Sequence, residues 1–95
     1  MAENELKLDG NAAGGLLQSI FPFEMTAATT ICAGCGAGGQ IGELIAYTLE
    51  IGTVLRCPSC EQVMIRIAHH SGAYWLDLRG AALLQIAEEH HRLDR

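Results

Sequence analysis

Two short cysteine pairs govern what this chain can become. Cys32-Ala33-Gly34-Cys35-Gly36 and Cys57-Pro58-Ser59-Cys60 are each a C-x-x-C, with 21 residues between the pairs. Two residues between cysteines let a tight turn aim both sulfurs at one ion while backbone N–H groups turn toward them. Gly34 and Gly36 supply positive φ for such a turn. Pro58 fixes φ at the first turn position of the second pair. Two turns facing each other present four thiolates in a tetrahedron, which zinc favours at about 2.3 Å per Zn–S bond. The interval fits a β-hairpin that returns the second pair to the first, the layout of a zinc ribbon. Cys32, Cys35, Cys57 and Cys60 are therefore the expected ligands of one structural Zn2+.

The size of the chain gives that ion a purpose. At 95 residues it fits one domain, 1–95. Its apolar share of 49% is rich in alanine and includes the cysteines, and few side chains are aromatic, so the core is thin. The composition excludes disorder, collagen-like repeats and a multi-domain enzyme. Zinc affinity in such sites contributes roughly 10–16 kcal/mol and becomes folding free energy when the unfolded chain has no site. With four protein ligands the shell is closed, which leaves no position for substrate and argues against Lewis-acid catalysis. Four thiolates around a dication leave a formal negative charge that Arg56, next to Cys57, is placed to offset.

Iron is the second candidate metal. Rubredoxins also use a C-x-x-C-G and a C-P-x-C knuckle, but they separate the pairs by more residues and pack abundant aromatics around the metal. A thiol-redox pair is the third reading. A reactive C-x-x-C opens a helix whose N-terminus lowers the thiol pKa, and neither pair here precedes a helical pattern.

Along the chain, residues 1–8 read as a polar lead-in. Asp9 is a candidate N-cap, and Ala13, Leu16, Leu17 and Ile20 follow at helical spacing, which predicts a helix over 9–21 that ends before Pro22. Gly14 and Gly15 weaken it. Strands are expected at Thr26–Ile31, Glu43–Leu49, Thr53–Cys57, Glu61–His69 and Tyr74–Leu78, with turns at Glu50-Ile51-Gly52 and His70-Ser71-Gly72. In the fourth strand Val63, Ile65 and Ile67 face one way and Gln62, Met64 and Arg66 the other. Leu83, Ile86, Ala87 and His90 share a face at helical period, which predicts a C-terminal helix over 80–93. The fold class expected is small α+β: a zinc-ribbon-type antiparallel sheet of short strands over 26–79, with an N-terminal and a C-terminal helix.

Charge narrows the partners. The net charge is −5, and no Lys or Arg occurs from Leu8 to Leu55. Non-specific nucleic-acid binding rests on a basic surface, so nucleic acid is not the expected primary ligand. Arg56, Arg66 and Arg79 read as solvated side chains. The polar, acidic start is not that of a signal peptide, and the longest uncharged run is too rich in Thr, Gly and Cys to span a membrane. A soluble, cytoplasmic protein is expected, and in a reducing compartment paired cysteines bind metal more often than they form disulfides. His69, His70, His90 and His91 suggest a second metal site, but neighbours on a strand point to opposite faces, so they read as surface or partly buried residues. Trp75 reads as core in a half-buried strand; exposed, it becomes a candidate partner contact.

Four segments together carry a resemblance: Leu8-Asp9-Gly10-Asn11, Cys32-Ala33-Gly34-Cys35-Gly36, Arg56-Cys57-Pro58-Ser59-Cys60 and Trp75-Leu76-Asp77-Leu78-Arg79-Gly80. Over about residues 8–82 the chain resembles an uncharacterised family of small bacterial zinc-ribbon proteins, a domain of unknown function. The resemblance implies the four cysteines as ligands and a bacterial cytoplasm, and it implies no activity. The function expected is a structural zinc-binding module, a protein-interaction or regulatory adaptor without catalysis. It acts on a protein partner, as a monomer or as a homodimer through the C-terminal helix. Rubredoxin-like electron transfer or thiol redox is one alternative, and a nucleic-acid-binding zinc ribbon is the other.

Overall fold

A computed structural model describes residues 6–49 and 52–88. Eight strands run in chain order: β1 (Leu6–Asp9), β2 (Thr29–Cys32), β3 (Gly38–Gln40), β4 (Ile45–Leu49), β5 (Gly52–Arg56), β6 (Val63–His70), β7 (Ala73–Asp77) and β8 (Ala81–Gln85). One short helix, α1 (Gly14–Ile20), and three single 3-10 turns at Gly10–Ala13, Met25–Ala27 and Ile41–Glu43 complete the described elements. The strands form a five-stranded sheet in the order β1-β4-β5-β6-β7 and a three-stranded sheet in the order β3-β2-β8, with every pairing antiparallel.

The larger sheet follows from alternation. Leu55 lies opposite Ala46 on one side and Ile65 on the other, and Ile67 is flanked by Thr53 and Leu76. Period-2 geometry then sends Ala46, Thr53, Leu55, Ile65 and Ile67 to one face, and all five are buried. The next residues along each strand, including Tyr47, Val54, Arg66, Ala68 and Trp75, take the opposite face. The core is completed by Ala13 and Leu17 from the α1 region, by Met25, Ala28, Ile41 and Leu44, and by Cys32 of the small sheet.

The expected N-terminal helix over 9–21 shrinks to α1. Asp9 does cap, accepting the Asn11 N–H at 3.1 Å, but it caps the 3-10 turn Gly10–Ala13. Gly14 and Gly15, poor helix formers, stand at the junction between the two. Phe21 is extended before Pro22, as the steric rule for pre-proline residues requires. Of the polar lead-in, 1–5 lie outside the described residues, and Leu6 onward forms β1 along β4.

The C-terminal helix is overturned. Ala81–Gln85 is a strand, residues 86–88 carry no regular structure, and 89–93, with His90 and His91, lie outside the described residues. Ala, Leu and Gln favour helix locally, but β2 offers an open edge, and unpaired backbone groups there must be satisfied. β8 supplies the partners: Thr29, Thr30 and Ile31 stand opposite Gln85, Leu84 and Leu83, and the buried Thr30 hydroxyl donates to the Leu83 carbonyl at 3.0 Å. A dimer through a C-terminal helix falls with the helix.

The single ribbon sheet over 26–79 is overturned as well. The interval between the cysteine pairs is not one hairpin: it holds β3, a 3-10 turn, β4 and β5. The two pairs therefore project from different sheets. Met64, expected on the face opposite Ile65 and Ile67, is buried as they are. Near the cysteines Met64 lies beside Thr30, Ala37 and Gly38 of the small-sheet region, and the chain passes close to the β6 backbone at Gly80. A Cβ on Gly80 would lie 2.0 Å from the Val63 carbonyl oxygen and 2.6 Å from Met64 Cα.

Candidate metal centre

Each cysteine pair sits on a turn built to the same plan. Cys32 ends β2; its N–H donates to the Ala37 carbonyl at 2.9 Å, and its own carbonyl accepts the Gly36 N–H at 2.9 Å. Cys57 follows β5; its N–H donates to the Gln62 carbonyl at 2.9 Å, and its carbonyl accepts the Glu61 N–H at 2.7 Å. The fifth residue of each turn is left-handed: Gly36 at φ +81° and Glu61 at φ +67°. Gly36 plays the part expected of it. Gly34 does not adopt positive φ; a Cβ there would meet only the tip of the exposed Gln62 side chain, at 2.3 Å, which is free to swing aside. The strained residue of the second turn is Glu61, for which composition gave no signal.

Peptide N–H groups converge on the sulfurs. Gly34 N–H donates to Cys32 Sγ and Ser59 N–H to Cys57 Sγ, each at 3.3 Å. Cys35 is likewise served by the Ala37 amide and Cys60 by the Gln62 amide. The two turns face each other so that Cys32 Sγ lies 3.7 Å from Cys60 Sγ, and Cys35 Sγ lies 3.7 Å from Cys57 Sγ. All four sulfurs fall within 4.8 Å of one another, and all four cysteines are free thiols. A tetrahedron with Zn–S bonds of about 2.3 Å spaces its sulfurs about 3.8 Å apart. The array thus has the size of a four-sulfur metal shell.

The thiols respond unequally. Burial pushes the Cys57 thiol up, but the amides of Cys60 and Ser59 outweigh it and bring it down to about 7. Cys32 is lowered too, chiefly by the Cys35 amide. Cys35 receives help from the Ala37 amide, yet the neighbouring Cys57 thiol and burial raise it to about 11. Cys60 is raised despite the Gln62 amide, through burial and the Cys32 sulfur. The backbone amides draw all four sulfurs toward the thiolate, burial and the neighbouring sulfurs oppose them at Cys35 and Cys60, and four thiolates this close need a cation among them.

Arg56 is held beside this cluster. Its Nη1 donates to the Glu61 carbonyl at 2.8 Å, and its guanidinium lies 5.6 Å from the centre of the Tyr47 ring. It braces the second turn as well as adding positive charge. A backbone tie joins the first turn to the end of the large sheet: Ala33 N–H donates to the Gly80 carbonyl at 2.8 Å. That role of Gly80 was invisible while the following residues read as a helix.

The other candidates disperse. His69 and His70 point to opposite faces of β6, where His69 stacks on Tyr74 with ring centres 4.1 Å apart and His70 on Trp75 at 5.3 Å. Among the described residues the four cysteines are the one group of His, Cys, Asp or Glu arranged to hold a metal ion. Trp75 is not core: it is 56% exposed. No described helix is long and apolar enough to cross a membrane.

Comparison with known proteins adds one finding. The model of a family of unknown function (DUF6510) matches residues 2–89. No curated protein and no solved structure matches the chain.

Proposed function

The chain belongs to this family of unknown function, DUF6510, and we propose that it is a structural zinc-binding module: a protein-interaction or regulatory adaptor of the bacterial cytoplasm without catalysis of its own. The observation that carries this reading is the sulfur array, four thiols from two facing turns with spacings of 3.7 Å across the turns. Four thiolate ligands close the shell around zinc and leave no open position for substrate, which suits a structural ion. The site also stands where it can hold the fold together, since one turn leaves the small sheet and the other leaves the large one.

A protein partner fits better than nucleic acid because the chain is acidic and two of its arginines are engaged. Arg79 grips Asp77 through Nε at 3.0 Å and Nη2 at 2.6 Å, and Arg56 is tied to the Glu61 carbonyl. With a net charge of −5, little free positive surface is left for phosphates. The test is elemental analysis of protein purified without added metal, followed by chelation. One zinc per chain, and loss of the cooperative thermal transition when it is removed, is the expected result. Stoichiometric iron would turn the reading to electron transfer.

A further inference from the structure

The outer face of the five-stranded sheet holds a shallow cavity of about 230 Å³, floored by Gly52, Val54 and Ala68 and walled by the indole of Trp75. The register explains its shape. Gly52, Ala68 and Trp75 form one row across three strands, so two small side chains stand next to a large one. Val54, Arg66 and Asp77 form the next row, which puts Arg66 and Asp77 on the rim. These two rim charges are not equivalent. Asp77 is bound by Arg79 of its own chain. Arg66 is exposed and, alone of the three arginines among the described residues, makes no hydrogen bond or salt bridge. An uncommitted cation thus stands beside an apolar hollow.

We propose that this face binds an acidic segment of a partner protein, with one large apolar side chain in the hollow and an adjacent Asp or Glu carboxylate on the Arg66 guanidinium. The inference rests on the reading of the chain as a protein-interaction module and specifies the chemistry of the partner. Size argues for a side chain as occupant. A cavity of about 150 Å³ accepts benzene, and sites for whole small-molecule ligands start at about 300 Å³. At about 230 Å³ the hollow has room for one branched or aromatic group attached to something larger. Charge argues for a carboxylate, which a guanidinium meets with two parallel hydrogen bonds. A basic segment would meet Arg66 with like charge. A nucleic-acid strand would bring a phosphate with every nucleotide to a chain of net charge −5. The indole also has one face already stacked on the His70 ring, at an interplanar angle of 8°.

The test selects random heptapeptides displayed on phage against the full metal-loaded chain. Recovered peptides are then titrated into isotope-labelled protein and followed by NMR, where the single tryptophan gives one indole N–H resonance. The expected peptides carry Asp or Glu next to Leu, Ile or Phe, and they shift the Trp75 indole and the Ala68 amide. Replacing the acid of the peptide by Gln should weaken binding about tenfold, the size of one charge-assisted hydrogen bond. Arg66→Gln should do the same, and in that variant the acid and amide peptides should bind equally. Peptides without an acidic residue overturn the proposal, as does binding that the change from acid to Gln leaves unaltered. A thymidine oligonucleotide that shifts the Trp75 indole at lower concentration than any recovered peptide overturns it too. Peptides that bind at the cysteine turns and leave Trp75 unmoved defeat this site while the protein-interaction reading stands; recovery of no peptide defeats both. The substitution in the peptide decides the matter even if Arg66→Gln folds poorly.

Discussion

The two ends of the β5–β6 pair are built on opposite plans. At the cysteine end everything turns inward. Cys57 and Met64 are buried, peptide N–H groups point at sulfur, and Gly80 presses on the Val63 carbonyl. At the far end the pair turns outward: Ala68 is half-buried, His70 and Trp75 stand in solvent, and small residues leave a hollow between strands. At the first end Cys57 and Met64 are fully enclosed although Cys35 and Cys60 reach the surface, and at the other Trp75 presents apolar area not used by the fold. Enclosure and exposure are thus separated along a single pair of strands. Substitutions at the two ends should differ in kind as well as in size.

The largest effect is expected at the cysteines. On the proposed reading Cys57→Ser removes one ligand and replaces a buried sulfur, so most of the roughly 10–16 kcal/mol of metal affinity is at stake. The variant should bind metal weakly and show no cooperative thermal transition by circular dichroism. Next comes Gly80→Ala. Its Cβ would lie 2.0 Å from the Val63 carbonyl oxygen, backbone against backbone, so the turn must shift and the Ala33 tie must lengthen. A loss of about 2–3 kcal/mol in urea unfolding is expected. An unchanged midpoint would show that the cysteine end is looser than its packing implies.

The smallest effect is expected on the surface beside Gly80. Arg79 is almost fully exposed, so Arg79→Ala should leave thermal stability near wild type. What should move is the titration of Asp77. The Arg79 guanidinium and amide hold its carboxyl well below the usual carboxylate range. A depressed folded-state value means that the contribution is present at neutral pH and is lost only as the pH falls through that value. In Arg79→Ala the midpoint followed by carboxyl NMR should rise toward the ordinary range.

The cysteine site was legible in sequence because its signal is local: spacing alone places two sulfurs per turn. The strands of the β4–β7 meander were legible for the same reason, since Val63-Met64-Ile65-Arg66-Ile67 and Tyr74-Trp75-Leu76-Asp77 alternate over short range. β8 was not. Leu83, Ile86 and Ala87 satisfy a helical period, and only the open edge of β2, about fifty residues earlier in the chain, makes Ala81–Gln85 a strand. β3 was hidden for a related reason: Gly38, Gly39 and Gln40 have no strand propensity of their own and pair because β2 is there. Trp75 was misplaced because alternation says which residues share a face, while burial depends on whether anything covers it.

The central claim is that the four sulfurs enclose one zinc ion. X-ray absorption at the zinc edge on the native protein tests it most directly. The account predicts four sulfur neighbours at about 2.3 Å and no nitrogen or oxygen in the shell. A shell containing light atoms, or a folded protein that carries no zinc, would contradict it.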